Sequence, residues 1–224
     1  MERVAVFVDW DNLRSTIGHI QSSTGFRHFN YNDTFHLHTL FRSFLEGDEK
    51  FYRIYIYTAK MLSIDEISSL IKERQRSTFE RWLSDNRDRY ENKYRASNKF
   101  LDEIVTQDYV ALRLGKLRFN GLRTGGYPDI VQKEVDMLLG LDISHISYLH
   151  LADKVMLFSK DTDIIPAMKT ARINGLEVIL PILQENDNIS DKLIKHSDIR
   201  RYRSLKEIYE TYIGPVGTDI SATQ

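Results

Sequence analysis

The chain has 224 residues, enough for one sizeable core or for one core carrying a large insertion. Its 31 lysines and arginines nearly balance its 32 aspartates and glutamates. That balance argues against a protein that coats DNA through bulk charge, while a local basic surface can still sit beside an acidic metal site. The absence of cysteine excludes disulfides, thiolate zinc sites and cysteine nucleophiles, and a reducing compartment, by default the cytoplasm, is expected.

The first residues, MERVAVFVDWDN, contain a short apolar run that ends in acids, so they read as a buried strand and not as a signal peptide. No segment approaches the ~20 apolar residues that span a bilayer, and no membrane partner is expected. Val4 to Val8 is a continuous β-rich run, the pattern of a strand buried on both faces of a parallel sheet. Asp11 or Asn12 then caps a helix that begins near Leu13. Phe51 to Ala59 reads as a second strand. From Ile64 to about Ser97 the chain is charged and helical in period, with Ile67, Leu70, Ile71, Phe79, Trp82 and Leu83 as its apolar stripe.

Tyr109 to Leu114 suggests a third strand, and the four glycines among basic residues in Gly115 to Gly126 suggest a hairpin or a mobile loop. Ile130 to Ile143 reads as helix and Lys154 to Ser159 as a buried strand. Ile164 to Asn174 reads as a helix closed by Gly175, Leu176 to Leu180 as a strand, Ser190 to His196 as a short helix, and residues 214 to 224 as a loose tail. Strands alternating with helices imply βαβ units and a mostly parallel central sheet flanked by helices, an α/β fold.

In doubly wound sheets, ligands bind outside the carboxyl ends of the strands. Asp9 follows the first strand directly, and Asp161 and Asp163 follow the strand KVMLF; Asp136 lies in the first half of an apolar helix. Carboxylates gathered at one point repel and need a proton or a cation between them. Hard oxygen donors without histidine or cysteine favour Mg²⁺ or Mn²⁺, which would activate water against a phosphodiester. Each aspartate also has a bland reading as a helix cap, and Thr162 or Asp163 is a candidate cap for the helix containing Pro166. Asp11 reads as a cap or a solvent-facing residue. Asp142 lies about 9 Å along the helix axis from Asp136 and about 240° around it, so Asp136, nearer the helix start, is the expected ligand.

Taken in order, VAVFVDWDNL, LRLGKLRFNG, QKEVDMLLGLD and KVMLFSKDTDIIPAMKTARINGLEVILP resemble the NYN family, PIN-like nucleases that include LabA-type proteins. The resemblance spans roughly residues 3 to 182, with a gap over the charged helical region. It implies a Rossmann-like PIN/NYN sandwich and metal-dependent RNA cleavage. Carried over, Asp9, Asp136, Asp161 and Asp163 hold the metal, Asn12 orients a carboxylate or the scissile phosphate, and Ser159 or Thr162 supports the site. Lys133 faces a phosphate or, equally, is a solvated helix residue. Three positions depart from the family pattern: Glu134 stands where it has glycine in KGVD, Lys160 where it has glycine in SGD, and Ile164 where it has phenylalanine.

Residues 1 to 200 are read as one such domain with a charged helical elaboration at about 74 to 126, and 201 to 224 as an extension and tail. RNA is the expected partner, held by the basic loop around Lys116, Arg118 and Arg123, or by Arg74 to Arg95 with its interleaved Phe79, Trp82, Tyr90 and Tyr94. The bland reading of the latter is an amphipathic helix with aromatics in the core. His36 and His38 alternate as on a strand or share a helix, and without a third ligand no metal role is expected. A homodimer through the aromatic-rich helices is compatible with the sequence. Two alternatives remain: a haloacid-dehalogenase-like phosphatase using Asp9 of the Asp-Trp-Asp triplet, and a catalytically silent RNA-binding module.

Overall fold

The computed structural model describes residues 1–183 and 189–214. Its elements begin with β1 (Arg3–Asp9), α1 (Trp10–Thr24), α2 (Thr34–Ser43), β2 (Lys50–Thr58), α3 (Ile64–Leu70), α4 (Glu73–Ile104), β3 (Val110–Leu114), β4 (Lys116–Leu122) and β5 (Pro128–Lys133). They continue with α5 (Val135–Tyr148), β6 (Lys154–Phe158), α6 (Ile165–Ile173), β7 (Glu177–Ile182), α7 (Asp191–His196), β8 (Ile199–Tyr202) and α8 (Leu205–Ile208).

Six strands form one parallel sheet in the order β3-β2-β1-β6-β7-β8. The chain builds outward from β1 in one direction, then returns and builds outward from β6 in the other. That reversal leaves a crevice at the carboxyl ends of β1 and β6, the place where doubly wound sheets bind ligands. The strand β1 is buried on both sides, which explains its unbroken apolar run. Val4, Val6 and Val8 join a core with α1, α2, the end of α4 and α8. Ala5 and Phe7 join a second core with α5, α6 and α7.

A third, smaller core holds Ile64, Ile67, Ile71, Phe79, Leu83 and Tyr90, with Phe119, Leu122 and Ile130 of the antiparallel β4–β5 hairpin packed against it. Gly126, in the hairpin turn, has φ +86°, and a Cβ there would stand 2.6 Å from the Thr78 carbonyl oxygen and 2.8 Å from Trp82 Cβ. Only glycine lets the turn approach α4 this closely.

Several sequence expectations need correction. Residues 128 to 133 are a strand and not the start of a helix: Ile130 and Val131 pair with Phe119 and Arg118, and the helix begins only at Val135, after Glu134 takes a left-handed backbone with φ +73°. The helix after β1 starts at Trp10, and its cap is Asp9 rather than Asp11 or Asn12, because the Asp9 carboxylate accepts the Asn12 backbone N–H. The region from Ile64 is two helices, broken where Ile71 becomes extended, and the second continues to Ile104. Leu70 leaves the apolar stripe and is 47% exposed at the end of the first. Asp161, not Thr162 or Asp163, caps the single 3-10 turn Thr162–Ile164 that leads into α6. For Gly115 to Gly126, by contrast, the hairpin alternative holds: the segment is one strand of a hairpin and its turn.

His36 and His38 lie on α2, where the His36 ring accepts the Asn30 backbone N–H. Apart from Gly214, the loose tail lies outside the described residues. Among the described residues no helix is long and apolar enough to cross a membrane.

Candidate functional site

Side chains alternate along a strand, so Asp9 shares the side of Ala5 and Phe7, the face that α5 covers. Asp136 stands in the first turn of that helix. A close approach fixes the helix start: a Cβ on Gly115 would lie 2.5 Å from Val135 Cγ2 and 2.6 Å from the Lys133 carbonyl oxygen. The Gly115 N–H donates to Thr58 O at the end of β2. The glycine between β3 and β4 therefore lets the chain carrying Asp136 lie against the carboxyl edge of the sheet.

The third segment is the turn after β6. Ser159 is buried, and its hydroxyl accepts the Asp161 N–H at 3.1 Å. The Asp161 carboxylate in turn accepts the Asp163 N–H at 2.9 Å. Asn12 ties this turn to the first segment, its side-chain oxygen accepting the Lys160 N–H at 3.2 Å.

The three segments bring like charges together. Burial pushes the Asp9 carboxyl up to about 6 against the pull of the Asn12 N–H, and the charges of Asp136, Asp11 and Asp161 push it further in the same direction. Asp136 is raised too, by burial and then by Asp161 and Asp163. Burial disfavours a carboxylate and neighbouring carboxylates disfavour it again, so the arrangement suits a cation.

The NYN domain family model matches residues 3–205, nearly the whole chain. The chain belongs to the NYN domain family. NYN domains are PIN-like nucleases, and the parallel sheet flanked by helices agrees with that fold. No curated protein and no solved structure gives a significant match.

Among the described residues of this NYN domain, no three acidic or histidine side chains are already drawn into a closed ligand set. The donor chemistry nevertheless fits a hard divalent cation, since Asp9, Asp136, Asp161 and Asp163 offer oxygen only and repel one another without one. Asp142 belongs elsewhere. It accepts the Tyr57 hydroxyl at 2.7 Å and pairs with Arg113 at 3.0 Å. Burial and Asp142 together hold the Tyr57 hydroxyl protonated, far above its ordinary range.

The basic residues expected to bind substrate separate. Lys116 pairs with Glu134 at 3.1 Å, and Arg118 and Lys133 are exposed on the hairpin. Arg123 alone of the loop cations lines a cleft beside the acidic centre. Phe79 and Tyr90 are core residues, as the bland reading of α4 holds. Tyr127 and Gln132, which also line the cleft, were not legible as site residues because their segment reads as loop and helix.

Proposed function

We propose that this NYN domain is a divalent-metal-dependent ribonuclease that hydrolyses RNA phosphodiester bonds. The observation that carries this reading is the convergence of carboxylates from three separate segments at the switch point of the sheet, Asp9 at the end of β1, Asp136 in the first turn of α5 and Asp161 after β6, where burial first and neighbouring carboxylates second push Asp9 and Asp136 upward. Asp9, Asp136, Asp161 and Asp163 would hold Mg²⁺ or Mn²⁺. When bound, such an ion supplies Lewis-acid activation of water and neutralises charge on the phosphodiester oxygens.

The chain's own residues do the rest. Asp9, capped onto the first turn of α1, is a fixed anchor inside the crevice. Ser159 and the Asp163 N–H set the orientation of the Asp161 turn. Asn12 holds the turns after β1 and β6 in register, a positioning role in place of direct contact with phosphate. The exposed Lys133, at the end of β5 two residues before α5, supplies positive charge near the helix start for the RNA backbone.

Purified wild type and Asp161→Asn, incubated with mixed RNA in Mn²⁺, Mg²⁺ or EDTA, test the reading. Metal-dependent cleavage that disappears in the variant supports it, and wild-type rates in Asp161→Asn would overturn it. An aspartyl-phosphate on Asp9 would instead favour the phosphatase alternative. RNA binding that survives Asp136→Asn without any cleavage by the wild type would favour the silent module.

A further inference from the structure

Beside the acidic centre lies a cleft of about 480 Å³, within the roughly 300–1,000 Å³ of sites that take small ligands. Its floor is Trp10, buried and stacked on Phe100 with ring centroids 4.7 Å apart. One wall is α4, the other is the β4–β5 hairpin, and Asp11, two residues from Asp9, stands on its rim. The cleft and the acidic centre therefore share the turn after β1.

We propose that this cleft is a subsite for one unpaired nucleotide next to the scissile phosphodiester, its base lodged against Tyr127 and its phosphate drawn to Lys93 and Arg14. The inference rests on the nuclease reading of the neighbouring centre. Four features select this ligand. Tyr127 keeps 46% of its surface exposed while Trp82 braces it edge-on at 5.5 Å, so a stacking ring is presented on a supported turn. Lys93 is exposed on α4 and makes no ion pair among the described residues. Arg14 lines the same cleft, fixed by its pair with Asp11 at 2.8 Å. Gln132 supplies both a donor and an acceptor for a base edge.

Aromatic faces combined with cations are how proteins hold single-stranded nucleic acid. A base already paired in a duplex cannot enter a cleft walled on two sides and floored by Trp10. The walls come from α4 and the hairpin, so the segment most unlike a minimal sheet core is assigned a purpose.

The test is fluorescence anisotropy in EDTA, so that cleavage does not intervene, with a labelled mixed-sequence RNA of about ten nucleotides and with its duplex. The single strand should bind about tenfold or more tighter than the duplex, and Tyr127→Ala and Lys93→Glu should each weaken it about fivefold or more. Tyr127→Phe should retain wild-type affinity, and Lys93→Glu, at an exposed helical position, keeps the test independent of any effect of Tyr127→Ala on folding. Equal affinity for duplex and single strand, or unchanged affinity in both weakening variants, overturns the subsite. Cleavage lost in Asp161→Asn together with unchanged binding by the cleft variants removes the subsite alone. Weakened binding by those variants with no cleavage by the wild type removes the nuclease reading and supports the cleft as a nucleic-acid site.

Discussion

The side-chain oxygen of Asn12 accepts the backbone N–H of Lys160 at 3.2 Å, joining residues 148 apart in sequence across the crevice between β1 and β6. One neutral hydrogen bond contributes only about 1 kcal/mol to stability. Its larger effect is on the relative position of Asp9 and Asp161, which lie on either side of it.

Asn12→Ala should therefore lower kcat roughly 10- to 100-fold, as small misplacements of reacting groups do, while costing about 1 kcal/mol of stability. Steady-state cleavage and urea unfolding on the same preparation check this. A stability loss with unchanged kcat would make Asn12 purely structural.

Asp9→Asn should abolish cleavage and yet stabilise the metal-free protein. The carboxylate is buried among other carboxylates and pushed up to about 6, so at pH 7 it is ionised at a cost that asparagine avoids. The expected gain in EDTA at pH 7 is on the order of 1–2 kcal/mol. Thermal unfolding of the two proteins measures it, and a less stable variant would contradict the repulsive picture.

Added Mn²⁺ should raise the Tm of the wild type, by the equivalent of about 2.7 kcal/mol at a hundredfold excess over Kd. The same addition to Asp136→Asn or Asp161→Asn should give a much smaller rise. Equal shifts in all three would place the metal elsewhere.

Glu134 holds a backbone with φ +73° where the family pattern has glycine. Left-handed backbone costs a residue with a Cβ roughly 1–2 kcal/mol, and its exposed pair with Lys116 offsets at most about 1. Glu134→Gly should stabilise the protein by on the order of 0.5–1 kcal/mol, read by chemical denaturation. A loss of stability would mean that the ion pair outweighs the strain.

At the opposite edge of the sheet, Glu49 accepts two hydrogen bonds from Arg201, both 2.7 Å, and one from Lys154 at 2.9 Å. Burial would raise its carboxyl, but Arg201, the Glu46 N–H and Lys154 outweigh burial and hold it down to about 2. A carboxyl lowered on folding stabilises the protein above its ordinary value of 4.5, and that contribution fades as pH falls from there toward 2. Glu49→Gln should cost about 3–5 kcal/mol at pH 7, because two cations lose a buried partner. It should also flatten the loss of stability between pH 4.5 and 2, measured by denaturation across that range.

The sequence by itself determined the strands of the parallel sheet from β1 to β7 and the aspartates at their ends. Continuous runs such as Val4 to Val8 arise only where both faces of a strand are covered, and an acid that closes such a run is displayed at the sheet edge. The helix α2 was not assigned from the sequence, although Leu37, Leu40 and Phe41 recur at helical spacing and are buried and Asp33 caps it. The strand β8 was not legible: IRRY carries two arginines, and Arg201 is buried only because Glu49 from a distant segment meets it. Nor was β5, whose Ile130 and Val131 read equally as helix until β4 pairs with them. The tertiary structure alone decided that Asn12 is a clamp, that Asp142 belongs to Tyr57 and Arg113, and that α4 and the hairpin wall a cleft. Each depends on partners tens of residues away, and periodicity along one segment carries no information about which distant segment will face it.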